Sequence, residues 1–242
     1  MSEIRFIAVH LLNDFSGSPR VLADFCATQG IQSNSLTIVT SSKKGFLDEN
    51  LGDLKVIWYP RSSSKFLNTI SFLLAQFQIF FAIIFLCLVG LWQRKRTVVI
   101  NNTIYSLASM LAGRLMNAKS ITYIHELSTR QSLTKGIVEW VIGKTADEVL
   151  LVSNILRDHY SFRQVKTTIL PNGLRSDFQQ ASFLDHEAKF SNGCILFVGS
   201  LKSYKGVDEL FKIAYRIPEV AFEGVLNCSK TELKKFLKKR SL

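Results

Sequence analysis

Short apolar runs alternate with longer amphipathic stretches along the chain, the pattern of βαβ units built on a parallel sheet. Ile4 to His10 reads as a first buried strand, Leu36 to Thr40 and Leu54 to Tyr59 as the next two. Further strands are predicted at Thr97 to Asn101, Ser120 to Ile124, Glu148 to Ser153 and Thr167 to Leu170, each rich in Val, Ile or Thr. Between the first two strands, Asn13 to Ser18 is a polar turn, and Val21, Leu22, Phe25 and Cys26 line one face of a helix that stops at Gly30. From Ile104, the residues Leu107, Ala108, Leu111 and Leu115 repeat at helical spacing. Ser153 is placed to cap a helix running to about Tyr160.

The periodicity fades over residues 174–192 into charged and polar positions, as in an interdomain linker. A second pattern then starts: strand Cys194 to Val198, loop Gly199 to Lys205, helix Gly206 to Arg216, strand Val220 to Leu226 and helix Lys230 to Arg240. The expected organisation is a Rossmann-like α/β domain over 1–173, with helices on both faces of a parallel sheet, the linker, and an incomplete second Rossmann-like domain over 193–242. Two strands and two helices cannot cover a sheet on both faces.

The most hydrophobic stretch, about 66–93, has no charged, hydroxyl or amide side chain from Ile79 to Trp92. A bilayer span needs ~20 mainly apolar residues. A span here would place the preceding and following strands on opposite sides of the membrane, where they could not pair. The favoured reading is a helix lying in the headgroup region, with Trp92 at the interface and Arg94, Lys95 and Arg96 on lipid phosphates. A helix buried inside the protein is the alternative, and a true span ranks third.

Composition narrows the picture in three ways. Thirty Lys and Arg against 19 Asp and Glu give a net charge of +11, a field that attracts nucleotide phosphates or an anionic membrane surface. No helix-turn-helix, zinc or aromatic-basic motif accompanies that charge, so no nucleic-acid partner is expected. Cys26, Cys87, Cys194 and Cys228 are widely separated, with no C-x-x-C pair, which argues against zinc and a disulfide framework; three of the four fall inside apolar segments and read as buried thiols in a reducing compartment. The N-terminal residues lack the apolar core of a signal peptide. No carboxylate cluster calls for a metal, no cofactor is expected, and no G-x-G-x-x-G follows the first strand.

In order, NDFSGSPRVL after the first strand, IHE after a middle strand, VS opening a helix, ILPNGL and ILFVGSLKSYKG resemble the retaining GT-B glycosyltransferases of family 4. The resemblance covers nearly the whole chain. It implies an enzyme that moves a sugar from a nucleotide-sugar, its donor substrate, to a lipid-linked or polysaccharide acceptor, in the cytoplasm at the inner face of the cell membrane. It also implies that Lys205, before Gly206, contacts the donor diphosphate with help from Lys202, that Gly17 and Gly199 belong with them to the donor- and phosphate-binding set, and that His125 sits beside the donor sugar as the catalytic candidate. In this picture Lys205 and His125 share one cleft and hold an anionic leaving group.

The residues themselves carry these roles to different degrees. His125 follows its strand directly and should emerge at the carboxyl edge of the sheet, where open α/β folds bind ligands. His10, also at a strand end, is a second candidate, whereas His159 and His186 read as surface residues. Gly17 permits close backbone approach of a ligand or is a plain turn glycine; the resemblance implies that its loop faces the interdomain cleft on the acceptor side, with Asp14, Ser16, Ser18 and Arg20 nearby. Lys202 is a phosphate contact or a solvated lysine. Tyr105 and Asn101 cap another strand end, where they could touch an acceptor, and Asn172 with Gly173 suits a hinge turn. Family members often carry an arginine where Ser200 follows Gly199, and continue into a donor domain with glutamates seven residues apart; Glu223 and Glu232 are not that pair. The expectation is therefore a chain cut short in its donor domain, with doubtful activity. The alternative is a non-catalytic membrane-surface binding protein that retains the acceptor-side domain.

Overall fold

The computed structural model describes residues 3–127, 133–162, 164–173 and 193–239. It consists of two compact units, Met1–Gly173 and Leu174–Leu242. The predicted linker, 174–192, and His186 lie outside the described residues.

The first unit holds a seven-stranded parallel sheet: β1 (Ile4–Val9), β2 (Leu36–Thr40), β3 (Asp53–Val56), β4 (Arg96–Asn101), β5 (Lys119–Ile124), β6 (Glu148–Leu151) and β7 (Lys166–Ile169), in the order β3-β2-β1-β4-β5-β6-β7. The order reverses at β1, between β2 and β4, the kind of switch point at which loops diverge and leave a crevice. The helices are α1 (Gly17–Thr28), α2 (Lys65–Trp92), α3 (Leu107–Leu115), α4 (Leu133–Thr145) and α5 (Asn154–His159).

Strand alternation sends neighbouring residues to opposite faces, and two cores follow. On one face Ala8, Ile38, Val98 and Ile100 pack against Leu22 and Cys26 of α1. On the other Ile7, Val9, Val39 and Val99 pack against Ala75, Ile79, Ile83, Leu86 and Cys87 of α2. A third cluster joins Ile124, Val149 and Leu151 to Met110, Ile142 and Leu156. The predicted α/β class is thus observed, with boundaries that shift by a few residues. For example, α1 begins at Gly17 rather than near Val21, because Pro19 with its fixed φ fits a helix's first turn.

Three elements end in the same way. At the end of α1 the amide of Gly30 reaches Ala27 O and that of Ile31 reaches Cys26 O, with Gly30 at φ 64°, a left-handed cap that glycine adopts without strain. After α2 the residue in this position is Arg94, at φ 56°, and after α3 it is Asn117, at φ 52°. An arginine there costs about 1 kcal/mol relative to glycine.

At 28 residues α2 is about 42 Å long and, among the described residues, is the helix long and apolar enough to cross a membrane. Its inner stripe is buried and Gly90 lets it approach β4, where a Cβ would lie 2.6 Å from Thr97 Oγ1. Its outer stripe, Phe66, Ile70, Leu73, Phe77, Phe81, Phe85, Leu88 and Trp92, is exposed, up to 84% for Trp92.

The second unit has a parallel pair, β8 (Cys194–Gly199) with β9 (Ala221–Leu226), a 3₁₀ turn at Ser203–Lys205, and helices α6 (Val207–Arg216) and α7 (Lys230–Lys239). Cys194 is exposed, contrary to the expectation of a buried thiol there, because this two-stranded sheet leaves its first strand largely open; Cys26 and Cys87 are buried.

Candidate active site

Three strands of the first unit end side by side at the carboxyl edge of the sheet, and each delivers a polar residue: His10 after β1, Asn102 after β4 and His125 after β5. Backbone bonds continue the pairing past the strand ends, from His10 N to Val39 O (3.1 Å) and from Asn102 N to Val9 O (3.0 Å). Asn102 is fully buried and links the two histidines. Its Nδ2 donates to Ser18 O at 2.8 Å. A carbonyl only accepts, so that bond fixes the amide and turns Oδ1 toward His125 Nε2, 2.8 Å away. His125 therefore carries its proton on Nε2. Its Nδ1 is buried with no partner among the described residues.

The second Asn102 amide hydrogen points at His10 Nδ1, 3.2 Å away. We assign His10 as the Nε2-protonated tautomer, since a bond from Nδ1 to Asn102 O (3.3 Å) would leave that buried amide hydrogen without an acceptor. Burial pushes both imidazoles down to about 4, and the proximity of His10 adds to the effect at His125. Both are neutral at physiological pH.

Next to this cluster lies a cleft of about 820 Å³. One wall is the loop after β1 and the start of α1, with His10, Leu11, Leu12, Asp14, Ser16 and Ser18. The second is Tyr59 with Lys65, Asn68, Thr69 and Phe72 of α2, and the third is Thr103, Tyr105 and Glu126. Both α1 and α2 present their N-termini here. Neither has an acidic residue in its first turn; the Ser64 hydroxyl caps α2 by accepting from Leu67 N, whereas Ser16 makes no capping bond, so the free amides of α1 and the two positive dipole ends favour an anionic or hydroxyl-rich ligand.

Glu126 is the unusual member of the wall. Burial pushes its carboxyl up to about 7, against the opposing effect of bonds from the Ile104 amide and the Thr103 hydroxyl. Its Oε2 is buried with no partner among the described residues. The Tyr160 hydroxyl holds the Glu126 carbonyl at 3.0 Å, which fixes the backbone at this point.

No family model and no curated protein sequence matches the chain. Solved structures do. A glycosyltransferase from Rickettsia africae superposes with a TM-score of 0.62 at 15% identity, over 99% of this chain and 64% of that one. Os79 from O. sativa, in complex with UDP and deoxynivalenol-3-glucoside, gives 0.55 at 11%, over 97% and 70%. The UDP-N-acetylglucosamine 2-epimerase of Rickettsia bellii gives 0.54 at 12%, over 98% and 65%. The fold is GT-B. The chain spans about two thirds of the length of these GT-B neighbours.

Within this GT-B framework the sequence-derived site residues fall into groups. Asp14, Ser16 and Ser18 line the cleft, with Asp14 Oδ1 accepting from Ser16 N at 2.9 Å. Arg20 is engaged away from that lining, paired with Asp24 at 3.1 Å and lying over the Phe46 ring. Gly17 opens α1 in an ordinary helical conformation, and a Cβ there would meet nothing within 4 Å, so the space above it is open and its backbone freedom is not called upon. His125 stands behind the wall and reaches it through Asn102 and His10. Gly199 ends β8, and Lys202 and Lys205 flank a turn in which Lys205 N donates to Lys202 O and Gly206 takes φ 82°, a conformation suited to glycine.

One expected placement, that of Asn101, does not hold. Asn101 is fully buried and bonded to Ser109 and Ser120, because it still lies within β4; Tyr105 does line the cleft. His159 is half-buried: its ring meets that of Tyr160 at 4.8 Å and its Nε2 is buried. Asn102, Glu126 and the first turns of α2 are wall or latch residues that sequence reasoning missed. A second Asn one step beyond a strand end is the available signal for Asn102.

Proposed function

We propose that the chain is a glycosyltransferase that moves a sugar from a nucleotide-sugar to a lipid-linked or polysaccharide acceptor at the cytoplasmic surface of the cell membrane, with retention of configuration. The observation that carries this is the continuity of the cleft with the apolar face of α2. Lys65, Asn68, Thr69 and Phe72 line the cleft while Phe66, Ile70 and Leu73 on the same turns are exposed. A headgroup in the cleft would leave its lipid tail beside the outer stripe.

An in-plane helix fits better than a span, because β3 and β4, which flank α2, belong to one sheet. Cations stand at both ends, Arg61 before α2 and Lys65 at its start, Arg94 and Arg96 after it, while Lys95 is paired with Glu3 at 2.7 Å, as expected if both ends face one anionic leaflet. Arg94 holds its left-handed position where glycine would be less strained, which supports a use for its charge.

In this reading Lys202 and Lys205 neutralise the donor diphosphate. Their charge, rather than the dipole of α6, carries that task, because Asp208 and Glu209 already occupy the first turn of α6. The test is incubation of the chain with radiolabelled UDP-sugars and GDP-sugars and a bacterial membrane lipid extract. Label passing into the lipid or polysaccharide fraction supports the proposal. Vesicle binding with no transfer from any donor leaves only a surface-binding protein.

A further inference from the structure

The proposed activity uses the outer face of α2 and leaves the outer faces of its neighbours unassigned. α2, α3 and α4 lie on one side of the sheet: Ala112 of α3 packs in the cluster that holds Ile79, Ile83 and Cys87 of α2, and Met110 of α3 packs with Ile142 of α4. Those contacts use the inner stripes of α3 and α4. The outer stripes hold Leu111 and Leu115 on α3, exposed by 45% and 67%, and Ile137 and Trp140 on α4, exposed by 58% and 64%. A large apolar side chain exposed singly is ordinary, but these four continue the exposed stripe of α2 into one surface.

Charge decides what covers that surface. The one acidic residue in α2, α3 and α4 is Glu139, whose side chain is 18% exposed, faces Lys135 at 3.7 Å and accepts from Ser161 N at 2.8 Å. Arg114 and Lys144 are exposed on the outer side and form no ion pair among the described residues. A second copy of the chain docked about a two-fold axis would bring these cations against the same face, where no exposed carboxylate neutralises them. An anionic leaflet supplies both the apolar medium and the counter-charge. The acid-free surface ends at α5, where Asp158 is exposed.

We propose that α3 and α4 join α2 in one docking face three helices wide, and that its partner is an anionic lipid leaflet. This rests on the reading of α2 as an in-plane helix. Trp140, with Lys144 one turn further along α4, sits at headgroup level on the far side of the face from α2. The sheet then lies parallel to the leaflet, and the cleft at its carboxyl edge opens sideways along the headgroups. A lipid-linked acceptor reaches the cleft by lateral diffusion within the leaflet.

The chain has three tryptophans, Trp58, Trp92 and Trp140, so single-tryptophan variants of the full chain report each place separately. Trp58→Phe with Trp92→Phe leaves Trp140, and Trp58→Phe with Trp140→Phe leaves Trp92 as the control for α2. Each is titrated with vesicles of phosphatidylglycerol and phosphatidylcholine, with and without brominated acyl chains. The emission of Trp140 is expected to shift to the blue and to be quenched by bromine, as is that of Trp92. Leu115→Glu with Ile137→Glu should weaken vesicle binding at least about 10-fold at unchanged melting temperature. A response from Trp92 without one from Trp140 overturns the wider face and leaves α2 docked alone. Silence of both overturns the in-plane reading of α2, and the wider face with it. Equal binding to vesicles of phosphatidylcholine alone overturns the choice of an anionic leaflet. Blue emission from Trp140 without lipid, in a chain that sediments as a dimer, assigns the face to a second copy instead.

Discussion

Replacing Asn102 with Ala should unlatch the carboxyl edge of the sheet. The side chain is buried and makes three bonds, to Ser18 O at 2.8 Å, His125 Nε2 at 2.8 Å and His10 Nδ1 at 3.2 Å. Each buried partner left unsatisfied costs about 1–3 kcal/mol. The three share one side chain and adjoin a cleft from which water can enter, so they do not add fully; about 3–5 kcal/mol is expected. In a domain of this size that corresponds to a fall in melting temperature of roughly 10 °C. Asn102→Asp separates the latch from its electrostatics. It also loses the donor to Ser18, but it places an anion between two imidazoles and should raise both from about 4 toward the ordinary histidine range. Thermal denaturation of both variants, with NMR titration of the histidine ring carbons, checks this. A loss below about 1 kcal/mol in the alanine variant, or unshifted histidines in the aspartate variant, would refute the assigned network.

Acid should destabilise the first unit. His10 and His125 have native pKa values lowered from 6.5 to about 4, so the stability they contribute is present above 6.5 and is lost as pH falls toward 4. Glu126 is raised from 4.5 to about 7, so its contribution has the opposite sign, present below 4.5 and lost as pH rises through 7. At about 1.4 kcal/mol per unit, two histidines against one carboxyl leave a net loss of about 3 kcal/mol between pH 7 and 4, steeper in Glu126→Gln; urea denaturation at several pH values reads it. Gly45→Ala should cost about 2–4 kcal/mol, since its Cβ would lie 2.7 Å from the Asn13 carbonyl carbon and displace the side chain that bonds Ser42 O and Leu47 O; an unchanged midpoint in chemical denaturation would contradict this. Phe77→Glu with Phe85→Glu, on the exposed stripe, should weaken binding to anionic vesicles by at least about 100-fold without lowering the melting temperature, as measured by vesicle flotation and calorimetry.

What can be read from sequence follows from how each feature is encoded. The strands of the first unit announce themselves because alternating faces are both buried, giving runs such as LTIVT with every residue inside. The helix α2 is equally plain, but its apolar residues run all round, so periodicity does not distinguish the stripe on the sheet from the exposed one. His125 is legible because it follows a strand directly. Its link to His10 through Asn102 joins residues 92 and 23 positions apart in sequence, a proximity created by the strand order. Asn101 and Asn102 differ by one residue at a strand end, enough to exchange a buried strand position for the loop that joins the histidines, and sequence reasoning picks the wrong one. The pKa of Glu126 is not legible at all, because it arises from burial by elements distant in sequence.

Binding of a sugar nucleotide by this chain is the most direct test of the proposed activity. In calorimetric titration of the full chain with a panel of UDP-sugars and GDP-sugars, one donor class should give saturable heat that Lys205→Ala weakens. Absence of heat with every donor at millimolar concentration would contradict it.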